Sequence, residues 1–156
     1  MAERTCQWLA EAIDDARRKW SFAVWAYVFM PDHVHLVVKP EWADARIPEI
    51  LKAIKSPVAS RAIAYLAEYS PEWLSRITRQ RGRKPERLFW QSGGGFDRNV
   101  TEPKALLAMM DYIHANPVRK RWVERPRDWR WSSAAWFDDG AEIPLAVDPL
   151  PKDWLE

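Results

Sequence analysis

"MPDHVHLVVKP", residues 30–40, carries two of the chain's three histidines, His33 and His35, with Val34 between them. In an extended strand successive side chains alternate faces. His33 and His35 therefore project from one side, and Val34 and Leu36 from the other. At a rise of ~3.3 Å per residue, same-face neighbours two apart stand about 6.5–7 Å apart at the backbone. Two imidazoles that close can converge on one divalent ion, and an apolar opposite face would hold the strand rigidly against a core. A His-x-His pair alone is more often incidental or structural, so a metal site needs support from elsewhere in the chain.

Outward from this stretch, "SFAVWAYVF", residues 21–29, is β-branched and aromatic and reads as a buried strand. "MPD" then reads as a turn and "HVHLVVK" as the returning strand, giving a β-hairpin over residues 21–39. Ahead of it, Thr5 is positioned to cap a helix whose apolar residues Leu9, Ala12, Ile13, Ala16 and Trp20 recur at helical spacing. After it, Ile50, Leu51, Ile54, Val58, Ala62, Tyr65 and Leu66 repeat with helical period from Ile47. Pro48 sits where a first-turn proline is tolerated, and Pro57 is expected to kink or split this helix. Residues 70–87 read as a mobile surface loop, "RLFWQ" as a short strand and "SGGGFDRN" as a loop. Thr101 is the expected cap of a third helix reaching Ala115, and an irregular, tryptophan-rich tail follows.

The 156 residues suit one domain with a real core. The expected organisation is a single domain over residues 1–137 with a C-terminal tail over 138–156. Apolar content of 47% and charged content of 29% exclude a disordered chain. No apolar run approaches the roughly 20 residues of a membrane span, no signal-peptide pattern is present, and a lone cysteine, Cys6, suits a reducing compartment. The expectation is a soluble cytoplasmic protein without membrane association.

A net charge of +2 hides clustering. Arg76, Arg79, Arg81, Arg83, Lys84 and Arg87 crowd one segment against the single acid Glu86. Arg119, Lys120, Arg121, Arg125, Arg127 and Arg130 interleave with Trp122, Trp129 and Trp131. Cations meeting phosphates and indoles stacking on bases suit single-stranded nucleic acid. Solvated arginines beside core tryptophans are the plainer alternative.

Support for the histidine pair comes from "MDYIHANPV", residues 110–118. Positions i and i+4 of a helix share a face, which brings Tyr112 and Asn116 together at its last turn. An amide oxygen is a hard third ligand suited to Mg²⁺ or Mn²⁺. A tyrosine beside a metal-bound phosphate can act as nucleophile. Spacing alone favours a plainer account, with Tyr112 as an amphipathic core residue and Asn116 as a helix C-cap.

"MPDHVHLVVKP", "LFWQSGGGFDRNV", "YIHANPVRKRWVERP" and "WRWSSAAWF" together, in this order and spacing, resemble the REP-associated tyrosine transposases over roughly residues 5–137. These are IS200-like members of the single-tyrosine HUH endonuclease superfamily. The resemblance implies an α+β fold: a ferredoxin-like or RRM-like antiparallel sheet backed by helices, with a C-terminal helix carrying the tyrosine. It implies Tyr112 as the nucleophile that cuts single-stranded DNA near REP-like hairpins, leaving a 5′-phosphotyrosine and a free 3′-hydroxyl. His33, His35 and Asn116 match the metal ligands, with Mg²⁺ or Mn²⁺ as cofactor. DNA contacts are expected from Arg76, Arg79, Arg81, Arg83, Lys84, Arg87, Arg119, Lys120 and Arg121, and "SGGG" could let the backbone approach the strand. A homodimer and association with the nucleoid also fit the family, and no role falls to His114.

Relatives usually place a strand of the "hhvTFrtyqRrp" sort before the first helix, beside the histidine strand, whereas this sequence opens on "MAERTCQWLAEA". A misplaced start codon, a truncated gene copy, or pairing by another segment would each account for that. The competing class is a domesticated or truncated DNA-hairpin-binding protein that does not cut. A zinc site is the weakest reading, since zinc wants more nitrogen or sulfur ligands and Cys6 lies in the first helix.

Overall fold

The computed structural model describes residues 2–42, 46–91, 95 and 97–154. In chain order these form α1 (Glu3–Trp20), β1 (Phe22–Phe29), β2 (Val34–Pro40), α2 (Ile47–Tyr69), α3 (Pro71–Arg76), β3 (Thr78–Arg81), β4 (Lys84–Arg87), α4 (Pro103–His114), α5 (Asn116–Arg119) and α6 (Ala134–Asp139). The fold is mixed α/β, with two small antiparallel sheets backed by helices. Two compact units divide the chain, one of residues 1–45 with 98–156 and the other of residues 46–97. Among the described residues no helix is long and apolar enough to cross a membrane.

In the first unit the expected hairpin is present. β1 pairs antiparallel with β2, Val28 opposite His35 and Phe29 opposite Val34, with a bulge between Val24 and Ala26. The bulge turns both Trp25 and Ala26 toward α4, where they join Val28, Met30, Leu106, Met110 and Ile113 in one buried cluster. α1 packs on β1 and buries Leu9, Ala12, Ile13 and Ala16, as the helical spacing of these residues requires.

The far edge of β1 is covered by residues of the supposed tail. Phe29 N–H donates to Trp131 O at 2.8 Å and Ser133 N–H to Tyr27 O at 3.0 Å, with an isolated bridge between Val28 and Ser132. Further along, Asp148 N–H donates to Val24 O, and the Asp148 carboxylate accepts from Val24 N–H. Leu145 N–H donates to the buried Tyr27 hydroxyl, whose pKa burial pushes up to about 12. The stretch after Pro117 is irregular in backbone, as expected, but Trp131, Ser133, Leu145 and Asp148 fasten it to β1.

His114, left without a role by the sequence, is a core residue. It is buried at the end of α4 with Nε2 2.8 Å from Ser133 Oγ, and that same oxygen accepts from Tyr27 N–H. Burial lowers the His114 pKa to about 4, against a weaker opposing pull from Asp111. Between the folded value and the ordinary 6.5, the unfolded chain binds a proton that the folded chain refuses. Stability is thus full above pH 6.5 and falls as pH drops toward 4, by about 3 kcal/mol for this residue. Urea unfolding of the wild type between pH 4.5 and 7 should show that slope, and His114→Gln should lack most of it.

Several boundaries differ from the sequence expectation for local reasons. α1 begins at Glu3 with Ala2 in the N-cap position, so Thr5 lies inside the first turn. α4 begins at Pro103, and Glu102, not Thr101, takes the extended N-cap conformation that a following proline imposes. In the second unit α2 runs unbroken through Pro57, with Ile50, Ile54, Val58 and Ala62 buried along one stripe. Burial of those side chains, about 1.5–3 kcal/mol for each large aliphatic one, outweighs the ~3 kcal/mol of an interior proline. The expected loop over 70–87 is instead α3 followed by the β3–β4 hairpin. "RLFWQ" is not a strand: β4 ends at Arg87, and the Trp90 indole N–H turns to Lys55 O at 2.8 Å.

Candidate active site

The hairpin and the end of α4 bring the histidines and Asn116 together. Met30 N–H donates to His33 O at 2.8 Å, closing the turn and placing His33 immediately before β2. His33 and His35 meet edge to face, with ring centroids 4.8 Å apart and their Nε2 atoms 3.1 Å apart. Asn116 Nδ2 lies 2.9 Å from His35 Nε2. Asn116 is not the helix C-cap; Ala115 takes that place, and Asn116 opens the short turn α5, where Pro117 fixes the backbone.

Tyr112 is no core residue either. It is 59% exposed, while Leu106, Met110 and Ile113 of the same helix fill the core. Arg119 joins it to the polar cluster: its guanidinium lies over the Tyr112 ring at 4.1 Å and donates to Tyr112 O at 2.5 Å and to Asn116 Oδ1 at 3.3 Å.

The surroundings of the two imidazoles favour their ligand forms. Asp32 Oδ1 stands 2.7 Å from His33 Nδ1. A proton held there leaves the His33 Nε2 lone pair facing His35, the arrangement carboxylates impose on ligand histidines. The hydrogen bond to His33 holds the Asp32 carboxyl below its usual range, with smaller help from the charges of His33 and Lys120. Burial, then the charges of His33 and Arg119, lower the His35 pKa and keep it in the neutral, ligand-competent form. Two ligand atoms about 2.1 Å from an octahedral ion stand about 3 Å apart, which matches the observed Nε2 separation. A half-turn of the Asn116 amide exchanges its ends and puts Oδ1 beside the imidazoles, giving up the contact of Oδ1 with Arg119, which then holds α4 through Tyr112 O alone. The residues present therefore fit a hard divalent ion. Among the described residues there is no group of three His, Cys, Asp or Glu of the kind a closed zinc site uses.

The basic residues divide. Arg125 pairs with Asp128, Arg127 with Asp138 and Asp139, and Arg130 with Glu3. Lys120 and Arg121 are exposed, and among the described residues no acid pairs with them. Trp129 donates its indole N–H to Phe29 O and Trp131 is buried, so these two indoles are structural, while Trp122 stays exposed. In the second unit Arg76 lies on the Trp73 ring, and Arg79 and Arg81 share Glu86. Of "SGGG", Ser92, Gly93 and Gly94 lie outside the described residues. Sequence reasoning missed Asp32 as the group that orients His33, and Arg119 as the tie between Tyr112 and Asn116. An acid immediately before the first histidine was the available signal for Asp32.

The sequence is 30% identical to a REP-associated tyrosine transposase of Haemophilus influenzae, over 99% of this chain and 82% of that protein. The chain belongs to the REP-associated tyrosine transposase family. No protein-family model matches it. A solved structure of a REP-associated tyrosine transposase bound to a REP hairpin shares the fold, with a TM-score of 0.56 at 24% identity over 91% of this chain and 73% of that one. For a member of this transposase family, His33, His35, Tyr112 and Asn116 are thus the residues whose roles need assigning.

Proposed function

We propose that the chain is a metal-dependent single-stranded DNA endonuclease and strand transferase that cuts beside REP-like hairpins through a 5′-phosphotyrosine. One observation carries the reading: two imidazoles and an amide converge within 3.1 Å, and Arg119 ties that cluster to an exposed tyrosine. His33, His35 and Asn116 would hold Mg²⁺ or Mn²⁺, which when bound neutralises charge developing on the scissile phosphate. Asp32 keeps His33 oriented, and burial keeps His35 neutral. The Tyr112 oxygen attacks phosphorus, its proton passes to solvent, and the bond to the 3′-oxygen breaks, releasing a protonated 3′-hydroxyl. The phosphotyrosine conserves the energy of the broken bond, so a 3′-hydroxyl of another strand can reverse the step and join DNA. Arg119, Lys120 and Arg121 are positioned to meet phosphates, contacts that place a strand without reading it.

A second reading, a hairpin-binding protein that does not cut, draws support from the histidine sheet. Among the described residues β2 pairs with β1 alone. A denaturing gel of the chain with labelled hairpin oligonucleotides, with and without Mn²⁺, separates the two. A metal-dependent adduct that survives denaturation supports the nuclease, and hairpin binding without an adduct supports the binder. The family also allows a homodimer, which sedimentation with and without hairpin DNA would reveal.

A further inference from the structure

The second unit carries a β-ribbon with no core of its own. β3 and β4 pair antiparallel along their whole length, from Thr78 opposite Arg87 to Arg81 opposite Lys84, and Gly82 turns the chain at φ +61°. No strand residue is buried on either face, and the only apolar side chain among residues 78–87 is Pro85. Hairpins of this kind gain little from burial and are marginal alone. The ribbon holds Arg79, Arg81, Arg83, Lys84 and Arg87 against Glu86, a net charge of +4 in ten residues. Cross-strand partners share a face, so Arg79, Arg81, Lys84 and Glu86 line one side and Arg87 stands on the other. Arg83, at the tip, Lys84 and Arg87 have no acid partner among the described residues.

We infer that this ribbon is a docking element for duplex DNA, entering a groove of the stem of the hairpin. The choice of DNA rests on the function proposed above. The choice of duplex rests on the ribbon itself. A major groove about 12 Å wide admits a two-stranded ribbon, and cations on both faces and at the tip can reach phosphates on both walls. Single-strand binding relies on aromatic platforms for the bases, and the ribbon contains no aromatic residue.

The test uses the full chain carrying Tyr112→Phe, so that binding is read without cleavage, and compares it with the same chain bearing Arg83→Ala and Lys84→Ala. Both added positions are exposed, and Gly82 is kept so that the turn survives; circular dichroism checks the fold. The probes are a blunt duplex with the sequence of a hairpin stem and an unstructured single strand of equal length. The expected result is weaker duplex binding and a salt dependence flatter by about 1.8 in log–log slope, 0.9 for each phosphate no longer neutralised. An unchanged duplex slope, or no duplex binding by the parent, overturns the inference. So does a larger loss on the single strand than on the duplex, which would assign the ribbon to unpaired DNA. Absence of a tyrosine adduct in the wild-type chain would count against the nuclease reading and leave the duplex result standing.

Discussion

Tyr112→Phe is expected to abolish the covalent protein–DNA adduct while hairpin affinity changes by less than about threefold. The substitution deletes one oxygen from a side chain that is 59% exposed, so folding stability should move by no more than about 0.5 kcal/mol. A phenylalanine ring still offers its face to the Arg119 guanidinium, which lies 4.1 Å from the ring centroid, so the packing of α5 is kept. What disappears is the phenol oxygen assigned as the nucleophile, and the ring and its packing stay. The adduct yield should therefore fall by on the order of 10³-fold or more, to background. An adduct that persists in the variant would remove Tyr112 from the chemistry.

His35→Ala should have the next largest effect. His35 Nε2 is the atom on which both neighbours converge, His33 Nε2 at 3.1 Å and Asn116 Nδ2 at 2.9 Å, so its loss dissolves the cluster as well as deleting a ligand. Groups that merely orient ligands are worth about 10–100-fold, so a ligand itself should cost about 100-fold or more in Mn²⁺-supported cleavage. A binding readout accompanies this. Saturation at about 100 times the dissociation constant stabilises a folded protein by about 2.7 kcal/mol, so Mn²⁺ should raise the wild-type melting temperature and leave that of His35→Ala unmoved. Asp32→Asn should fall between the two, since it loosens His33 without removing a ligand. Equal Mn²⁺ responses in wild type and His35→Ala would place the ion elsewhere.

The parts of the fold that bury apolar side chains with regular spacing were legible in the sequence. The α1 period, the aromatic run of β1 and the "MPD" turn all gave their elements within a few residues. What escaped is stabilised otherwise. Residues 131–133, "WSS", cover the β1 edge through backbone and hydroxyl hydrogen bonds and show no strand alternation. The β3–β4 ribbon is polar on both faces, so no hydrophobic period marks it. At helix starts the backbone restriction imposed by Pro103 outranks the capping preference of Thr101. In the site, strand-like alternation puts His33 and His35 on one face, whereas the contact of Asn116 with His35 spans 81 residues, and only the family resemblance pointed to it. The tie through Arg119 joins residues seven and three apart across the break between α4 and α5, a geometry set by Pro117 that no simple period describes. Half of the second basic cluster is paired with acids: Arg125, Arg127 and Arg130. Two of those pairings, with Asp138 and Glu3, span 11 and 127 residues, a separation that spacing cannot reveal.

Peptide mass spectrometry after reaction with a hairpin oligonucleotide and Mn²⁺ tests the central claim most directly. Trypsin releases residues 105–119, "ALLAMMDYIHANPVR", as one peptide. After nuclease trimming of the DNA, this peptide is expected to gain the mass of a 5′-phosphonucleotide, with fragmentation placing it on Tyr112. Cleaved DNA with the added mass on another residue, or with no modified peptide, would contradict the claim.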